Sequence, residues 1–323
     1  MTEELPPVPS RNLPLSARAP GKCIVFGEHA VVHGAPELAF AVDLMTQVFV
    51  TPGSVSRLNA DAGAEMHNPY FRAALELFWK GRPPVEVRAI SRVPRAAGLG
   101  SSAAFTAGLA AVLSSATGGV DRATLAQRSF EVERTAQGVG SPGDTSTVVA
   151  GGFVAVNGGR GEPIWTIAAP DHRWEVRRVD DPGWVWVIAY SGIPRSTADA
   201  VRAVSARLAA AGGSELLEEF RRVATEGIDA VDRGDRPKVA MLLERNQELL
   251  REVGVSHPRL EALLEAAKPA AEGAKLTGAG AGGSVIALPV PGKETELVRR
   301  LARAGALPFV VRPTRDGATL VEG

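Results

Sequence analysis

Cysteine, excess charge of either sign and long apolar runs are all scarce in this sequence. Cys23 is its one cysteine, which excludes a disulfide within the chain and favours a reducing, cytosolic compartment. Basic and acidic residues number 36 each, so net charge gives no support to a nucleic-acid or membrane-surface partner. No apolar run approaches the roughly 20 residues that span a bilayer. We therefore expect a soluble, cytosolic globular protein that binds neither nucleic acid nor a membrane.

What is present is enough apolar sequence for a large core. The 323 residues are 45% hydrophobic, and a chain of this length is expected to form two domains. We place these domains at residues 1–175 and 176–323, because the composition shifts around 158–163 and 180–183. The N-terminus carries prolines where a signal peptide would be apolar. We expect residues 1–17 to be a flexible lead-in.

Helical and strand patterns are mixed along the chain rather than strictly alternating. Strand patterns occur at 22–27, 38–50, 85–93 and 147–156. A helix is expected from Asp121, a suitable N-cap, to about Ala136, and further helices are expected between 197 and 271. This mixture favours the α+β class over a doubly wound parallel sheet.

The stretch "RAAGLGSSAAFTAGLAAVL" (95–113) leads from a strand into a helix through glycine, alanine and serine. Such a turn exposes backbone N–H groups at the positive end of a helix dipole, which suits a phosphate. Gly98, Gly100 and Ala103 would leave room for a polyphosphate, and Ser101 and Ser102 would add hydroxyls. A serine N-cap would leave the same pattern. Neither usual nucleotide fingerprint, G-x-x-x-x-G-K-[ST] or G-x-G-x-x-G, is present.

Two carboxylates stand out downstream of this stretch. Glu133 shares the apolar face of its helix with Ala126 and Phe130, so we expect it to point inward. A buried carboxylate needs a partner, which could be an internal arginine or a Mg²⁺ ion shared with phosphate oxygens. Asp144 lies in "GVGSPGDTST" (138–147), a turn that we expect before a strand. Aspartate also shapes turns without any further role.

Two more glycine-containing stretches complete the pattern. "APGKCIVFGEHAVVHGAP" (19–36) places Lys22 before a strand and Glu28 and His29 after it, and "KLTGAGAGGSVIAL" (275–288) places a glycine loop between two strands. Glycine loops allow backbone to approach a ligand closely. A solvated lysine, a surface Glu-His pair and a simple hairpin turn would produce the same patterns.

Taken in order, these three stretches resemble the signature motifs of the GHMP kinases: galactokinase, homoserine kinase, mevalonate kinase and phosphomevalonate kinase. The resemblance extends from residue 19 to 288 and is strongest to mevalonate kinases of archaeal type, which "RNQELLREVGVSHPRLEAL" (245–263) also resembles. It implies an α+β fold of two domains, the N-terminal one like domain 2 of ribosomal protein S5 and the C-terminal one ferredoxin-like. The active site would lie between them.

The resemblance also implies roles for single residues. Lys22 matches the lysine that polarises the acceptor hydroxyl, and Asp144 the catalytic aspartate that accepts or orients its proton. Ser102 and Glu133 match the pair that holds Mg²⁺ on the β- and γ-phosphates of ATP. The implied nucleotide-binding residues are Pro94, Ala97, Gly98, Leu99, Gly100, Ser101, Ser102 and Ala103. The implied acceptor-binding residues are Lys22, Glu28, His29, Asp144, Thr197, Gly278, Ala279 and Gly280.

The implied reaction is phosphorylation of the 5-hydroxyl of mevalonate, with ATP and Mg²⁺. Alternatives are another acceptor, such as phosphomevalonate, the 3-hydroxyl of mevalonate, homoserine or a sugar, and a non-catalytic ligand-binding relative. The turn before Asp144 departs from the common Pro-Ser-Gly-x-Asp, and Ala281 stands where many relatives have glycine. We expect adenine contacts from 52–70, and the family suggests a homodimer.

Overall fold

The computed structural model describes residues 12–59, 68–94, 97–138, 140–170, 172–194 and 197–321, the side chains of 197–199 excepted. The strands are β1 (Leu15–Phe26), β2 (Glu37–Pro52), β3 (Arg57–Leu58), β4 (Val85–Ser91), β5 (Phe153–Val156), β6 (Trp165–Ala169), β7 (His172–Val179), β8 (Trp186–Tyr190), β9 (Ala271–Thr277), β10 (Ser284–Pro289), β11 (Leu307–Val311) and β12 (Thr319–Val321). The helices are α1 (Pro69–Phe78), α2 (Ser101–Ala116), α3 (Arg122–Gln137), α4 (Gly143–Ala150), α5 (Thr197–Ala209), α6 (Gly213–Asp232), α7 (Arg236–Glu252), α8 (Pro258–Ala267) and α9 (Glu294–Arg303).

The first sheet is built mainly from the N-terminal half of the chain. Its order is β12-β1-β2-β5-β7-β6, and β4 pairs with both β2 and β3. Helices α2 and α4 pack on β1 and β2, and α3 packs on α2 and α4. The predicted cap of α3 is confirmed, since the Asp121 side chain accepts a hydrogen bond from the Thr124 N–H at 2.7 Å. Helices α2, α3 and α4 carry four of the predicted site residues, Ser101, Ser102, Glu133 and Asp144.

The second sheet has the order β11-β8-β10-β9, and its neighbouring strands are antiparallel. Numbered along the chain, this order is 4-1-3-2 with helices in both crossovers, which is the ferredoxin-like arrangement. The predicted α+β class and the C-terminal architecture are therefore confirmed.

Two expectations about the elements need correction. The stretch 147–156 is not one strand, because α4 continues to Ala150 and a break at Gly151 and Gly152 precedes β5. Val148 and Val149 are fully buried in that helix, so tertiary packing overrides their β propensity. The lead-in also ends earlier than expected, because residues 15–17 already belong to β1 and pair with β2. Residues 1–11 lie outside the described ranges.

The way the chain is divided between the two sheets differs from the expected boundary at 175/176. That position falls inside β7, which belongs to the first sheet, and β12 also returns to the first sheet from the C-terminal end. We propose that the units meet at 180–185, between β7 and β8. One core cluster joins both sheets, with the Phe40 and Trp186 rings 5.6 Å apart. Within the described ranges, no helix combines the length and apolar character needed to cross a membrane.

Candidate active site

A cavity of about 850 Å³ is lined by residues from both halves of the chain. Its lining comes from β1, the start of β2, the N-terminus of α2, the end of α3, the turn before α4 and the loop at 278–279. Segments 250 positions apart in the sequence, such as those of His29 and Ala279, therefore meet at one cavity. The predicted site residues that line it are Lys22, Glu28, His29, Pro94, Gly98, Gly100, Ser101, Ser102, Glu133, Asp144, Gly278 and Ala279.

The start of α2 opens onto this cavity without a side-chain cap. Gly100 is the N-cap residue in a left-handed conformation, and no side chain hydrogen-bonds to the first turn as a cap. The serine N-cap interpretation is therefore wrong for Ser101 and Ser102, which lie in the first turn and line the cavity. The first N–H groups of a helix lack intrahelical partners. Together with the helix dipole, they provide a place for a phosphate.

Three buried residues at and beside this turn hold it in place. Ala97, Leu99 and Ala103 are buried and do not contribute to the cavity lining. The Ala97 carbonyl oxygen accepts a hydrogen bond from the Ser284 hydroxyl at 2.7 Å, and the Leu99 carbonyl oxygen accepts one from the Lys22 N–H at 3.0 Å. These bonds tie the turn to β10 and β1. The three residues shape the turn rather than form the surface of the cavity.

Lys22 and Asp144 form the ion pair at the centre of the cavity. Lys22 Nζ lies 2.6 Å from Asp144 Oδ1, and the two side chains are 2% and 33% exposed. The lysine chain crosses Gly100, where an added β-carbon would lie 2.7 Å from Lys22 Cγ. Asp144 lies in the first turn of α4, not in a turn before a strand as expected, and the helix dipole favours its negative charge there.

Glu133 reaches the cavity from α3 with one carboxylate oxygen unpartnered. Its Oε2 accepts a hydrogen bond from Gln137 Nε2 at 3.2 Å, while its Oε1 is buried without a hydrogen bond. Burial raises the pKa of Glu133 to about 7, the Asp144 charge adds to the rise, and Ser102 and Lys22 oppose it. An unpartnered carboxylate oxygen and a nearby serine hydroxyl are the hard oxygen donors that Mg²⁺ takes together with phosphate oxygens. Ser102 and Glu133 therefore fit a magnesium ion.

The segment 27–29 is fixed to the C-terminal half by two contacts. Glu28 and Lys275 form an ion pair whose side chains are 1% and 0% exposed. His29 adopts a left-handed conformation, and its Nε2 lies 3.1 Å from the Ala279 carbonyl oxygen. These contacts bring Glu28, His29 and Ala279 to the same wall of the cavity.

Two predicted acceptor-binding residues are not placed in this wall. Gly280 is outside the lining and packs against Val255, whose carbonyl oxygen also accepts a hydrogen bond from the Ala281 N–H at 2.7 Å. Thr197 begins α5, and its side chain lies outside the described part of the chain. Ala281 is exposed and lies outside the cavity lining.

Sequence reasoning missed Glu37 and Tyr70, which also line the cavity. Burial raises the pKa of Glu37 to about 8, and burial followed by the Glu133 charge raises the pKa of Tyr70. A carboxylate at the start of the apolar run "ELAFAV" was a usable signal for Glu37. Tyr70 is the last residue of the weakly patterned stretch 52–70, where Leu58, Asn59 and Asn68 also line the cavity. Residues 60–67 of the expected adenine-binding stretch lie outside the described residues.

Comparison with known proteins agrees with this geometry. Models of the GHMP kinases match residues 69–152, as the N-terminal domain, and 228–307, as the C-terminal domain. The mevalonate kinase of Pyrococcus horikoshii is 30% identical over 347 aligned residues, covering 95% of this chain and 97% of that protein. The mevalonate kinase of Archaeoglobus fulgidus is also 30% identical, covering 95% and 99%. A crystal structure of mevalonate kinase matches with a TM-score of 0.73 at 25% identity, covering 94% of this chain and 100% of that one.

The family models cover Ser102, Glu133, Asp144 and Ala279, and the alignments with these two mevalonate kinases extend over 95% of the chain. The expected two-domain architecture is thus shared with solved relatives over nearly the whole chain. The chain belongs to the GHMP kinase family, and it is an ATP-dependent, mevalonate kinase-like member of that family.

Proposed function

We propose that the protein transfers the γ-phosphoryl group of ATP to the 5-hydroxyl of mevalonate. The observation that carries this proposal is the Lys22–Asp144 pair, with Nζ and Oδ1 2.6 Å apart, in a cavity that the N-terminus of α2 also faces. A cation and a carboxylate at one point suit a reaction in which a hydroxyl loses its proton while a phosphoryl group arrives. Phosphoryl transfer needs chiefly such positioning and charge stabilisation.

Asp144 is the proton acceptor in this proposal. Its side chain is one-third exposed toward the cavity, so an acceptor hydroxyl can reach its second carboxylate oxygen. As the hydroxyl oxygen bonds to the γ-phosphorus, the bond between that phosphorus and the β–γ bridging oxygen breaks. The hydroxyl proton passes to Asp144, and ADP leaves with the bridging oxygen.

Lys22 and the first turn of α2 stabilise negative charge in the same step. Lys22 is fixed across Gly100, so its ammonium group needs little reorganisation when charge develops on the transferred group. The N–H groups at the start of α2 hold the phosphates of ATP. Ser102 and Glu133 would hold Mg²⁺, which when bound offsets the charge of the β- and γ-phosphates.

The charges around the cavity favour mevalonate over phosphomevalonate as the acceptor. Among the described lining residues, Lys22 and Arg134 are the ones with a permanent positive charge, and Arg134 adjoins the proposed magnesium ligand Glu133. Lys275 is fully buried and paired with Glu28, so it is not offered to a second phosphate. An acceptor that already carries a phosphate would be expected to meet additional lysines or arginines.

The cellular setting follows from the same proposal. Cys23 is a free thiol, which suits the reducing cytosol, where mevalonate and ATP would be met as free metabolites. A homodimer stays a prediction from the family.

The test is a coupled assay of ADP release with ATP and Mg²⁺ and a panel of mevalonate, phosphomevalonate, homoserine and galactose. We expect turnover with mevalonate and little with the others. Phosphorus NMR of the product then distinguishes the 5-phosphate from the 3-phosphate. Preference for another alcohol would change the proposed acceptor to that alcohol. ATP binding without turnover of any of these alcohols would indicate a non-catalytic relative.

A further inference from the structure

Glu37 is a buried acid that the proposed reaction does not use. It is the first residue of β2, pairs with Val156 of β5, and is 3% exposed. Its Oε2 accepts a hydrogen bond from the Ser141 hydroxyl at 3.4 Å, and its Oε1 is buried without a hydrogen bond. A buried carboxyl group with one unpartnered oxygen destabilises the fold. Its presence in a folded protein therefore calls for an explanation.

The position of Glu37 is between the two turns that carry active-site residues. A β-carbon added to Gly27 would lie 2.6 Å from Glu37 Cα, so the backbone of Glu37 packs directly on the turn before Glu28. A β-carbon added to Gly143 would lie 1.7 Å from Glu37 Oε1 and 2.6 Å from its Cδ. The carboxyl group therefore rests on the first residue of α4, immediately before Asp144.

The charged groups that face Glu37 are Lys22 on β1, Glu28 after β1 and Asp144 on α4. Lys22 is paired with Asp144, and Glu28 with Lys275, so these four charges already balance. Ionisation of Glu37 would leave a net negative charge in a buried cluster. Burial, with Asp144 as the next cause, accordingly raises the pKa of Glu37 to about 8.

We propose that Glu37 is a positioning residue that seats the first turn of α4 and so holds Asp144 against Lys22. This inference rests on the proposed function for its catalytic consequence. As a neutral acid, Glu37 fills the space against Gly143 without competing with Asp144 for the Lys22 ammonium group. As a carboxylate, it repels Asp144 and weakens the alignment.

The first test compares Glu37→Ala with Glu37→Gln. The alanine variant leaves α4 unsupported, and because misplacement by about 1 Å can cost roughly 100-fold in rate, we expect kcat to fall about 10- to 100-fold. The KM for ATP should change less than about threefold, since α2 is untouched. Glutamine keeps the shape of the neutral acid, so Glu37→Gln should restore kcat near pH 7. Equal kcat in the alanine variant and wild type would overturn the proposal.

The second test uses pH and needs no acceptor. A carboxyl group whose pKa is 4.5 when unfolded and about 8 when folded stabilises the fold fully below pH 4.5, and this contribution is lost as pH rises toward 8. The Tm of Glu37→Gln relative to wild type should therefore increase from about pH 5 to about pH 8.5. An exposed control on α7, Glu252→Gln, should show no such trend.

Introducing Asp144→Asn then tests whether Glu37 and Asp144 interact directly. Because the Asp144 charge contributes to the raised pKa of Glu37, the pH-dependent gain from Glu37→Gln should shrink in the Asp144→Asn background. A gain of unchanged size there, or no pH dependence at all, would contradict the placement. If wild type phosphorylates none of the alcohols, the proposed acceptor fails, and the Tm series still decides the role of Glu37.

Discussion

At the residue scale, the two members of the central ion pair differ in their access to water. Lys22 is 2% exposed and Asp144 is 33% exposed, so removing the aspartate leaves a buried ammonium group unpaired, while removing the lysine leaves a carboxylate that water can reach. Uncompensated buried charges are strongly destabilising. We expect Asp144→Asn to lower Tm more than Lys22→Met, although both should lower kcat by about 10²- to 10⁴-fold, the usual contribution of a proton-transfer group.

Thermal unfolding and steady-state kinetics on the two purified variants check this order. Far-UV circular dichroism at room temperature provides the control, because both variants should retain the wild-type spectrum. A variant with near-normal turnover would remove its residue from the proposed mechanism. A larger Tm loss in Lys22→Met would contradict this order, because it would mean that the unpaired Asp144 carboxylate destabilises the fold more than the unpaired Lys22 ammonium group.

Glu133 provides a second prediction at this scale. If its unpartnered Oε1 serves a magnesium ion, Glu133→Gln should weaken Mg²⁺-dependent binding of an ATP analogue by about 10- to 100-fold, a loss of roughly 1.4 to 2.8 kcal/mol. Binding measured without Mg²⁺ should change little. Glu131→Gln, on the same helix and paired with Gln127, is the matched control. Equal Mg²⁺ dependence in the Glu133→Gln and Glu131→Gln variants would argue against the metal assignment.

Single residues were predictable where the sequence pattern was periodic or matched a motif. The helical period identified Glu133 as inward-facing. The family resemblance assigned Lys22, Ser102 and Asp144 to one site, and in the structure all three line the same cavity. An acid at the start of an apolar run could have singled out Glu37, but its proposed role could not be inferred, because it depends on a contact with Gly143 that exists only in the folded chain. Tyr70 was included only as part of the expected adenine-binding stretch 52–70, because that stretch lacks a clear period that would single it out.

At the element scale, the start of α2 depends on Gly100, which adopts a left-handed conformation and leaves room for the Lys22 side chain. Gly100 has a φ of 70°, and a β-carbon there would lie 2.7 Å from Lys22 Cγ. Gly234 has a φ of 68° but open space around it. Alanine at either position costs about 1–2 kcal/mol of left-handed strain. Only Gly100→Ala also displaces Lys22, so we expect kcat to fall by at least about tenfold in that variant alone.

The comparison between these two alanine variants isolates the clash from the strain. Urea unfolding should show a loss of stability in both, with the larger loss in Gly100→Ala. Activity should separate them more clearly, because Gly234 lies after α6 and is not part of the cavity lining. If Gly100→Ala and Gly234→Ala have the same kcat, the contact between Gly100 and Lys22 does not position the lysine.

Elements were predictable where local signals agreed with packing. Asp121 indicated the start of α3, and the alternation of Val85 and Val87 with polar residues indicated β4. The prediction for 147–156 was wrong because its β-branched residues favour a strand, while the buried layer between α3 and the sheet requires a helix there. Strand β12 is three residues long, and its pairing with β1 is a tertiary contact that no local pattern records.

At the scale of the whole molecule, one hydrophobic cluster of the described residues joins the two sheets, and another lies within the first sheet and its helices. The cluster that contains Phe26, Phe40 and Leu38 from the first half also contains Trp186 and Ile188 from the second. A boundary inferred from composition cannot detect such sharing, and the expected division at 175/176 lies inside β7, which pairs within the first sheet. A shared core couples the halves, so the protein should unfold by heat in a single transition.

The buried Glu28–Lys275 pair tests that coupling, because it joins the segment after β1 to β9. Lys275→Met leaves the Glu28 carboxylate buried without its partner, which typically costs about 3–5 kcal/mol and should lower Tm by on the order of 10 °C. Glu28→Gln combined with Lys275→Met removes both charges and should recover most of that loss. Differential scanning calorimetry checks both values and the shape of the transition. Because an apolar cluster also joins the two halves, Lys275→Met should still melt in one step. A melt that separates into two steps would mean that this ion pair, rather than the apolar cluster, holds the halves together.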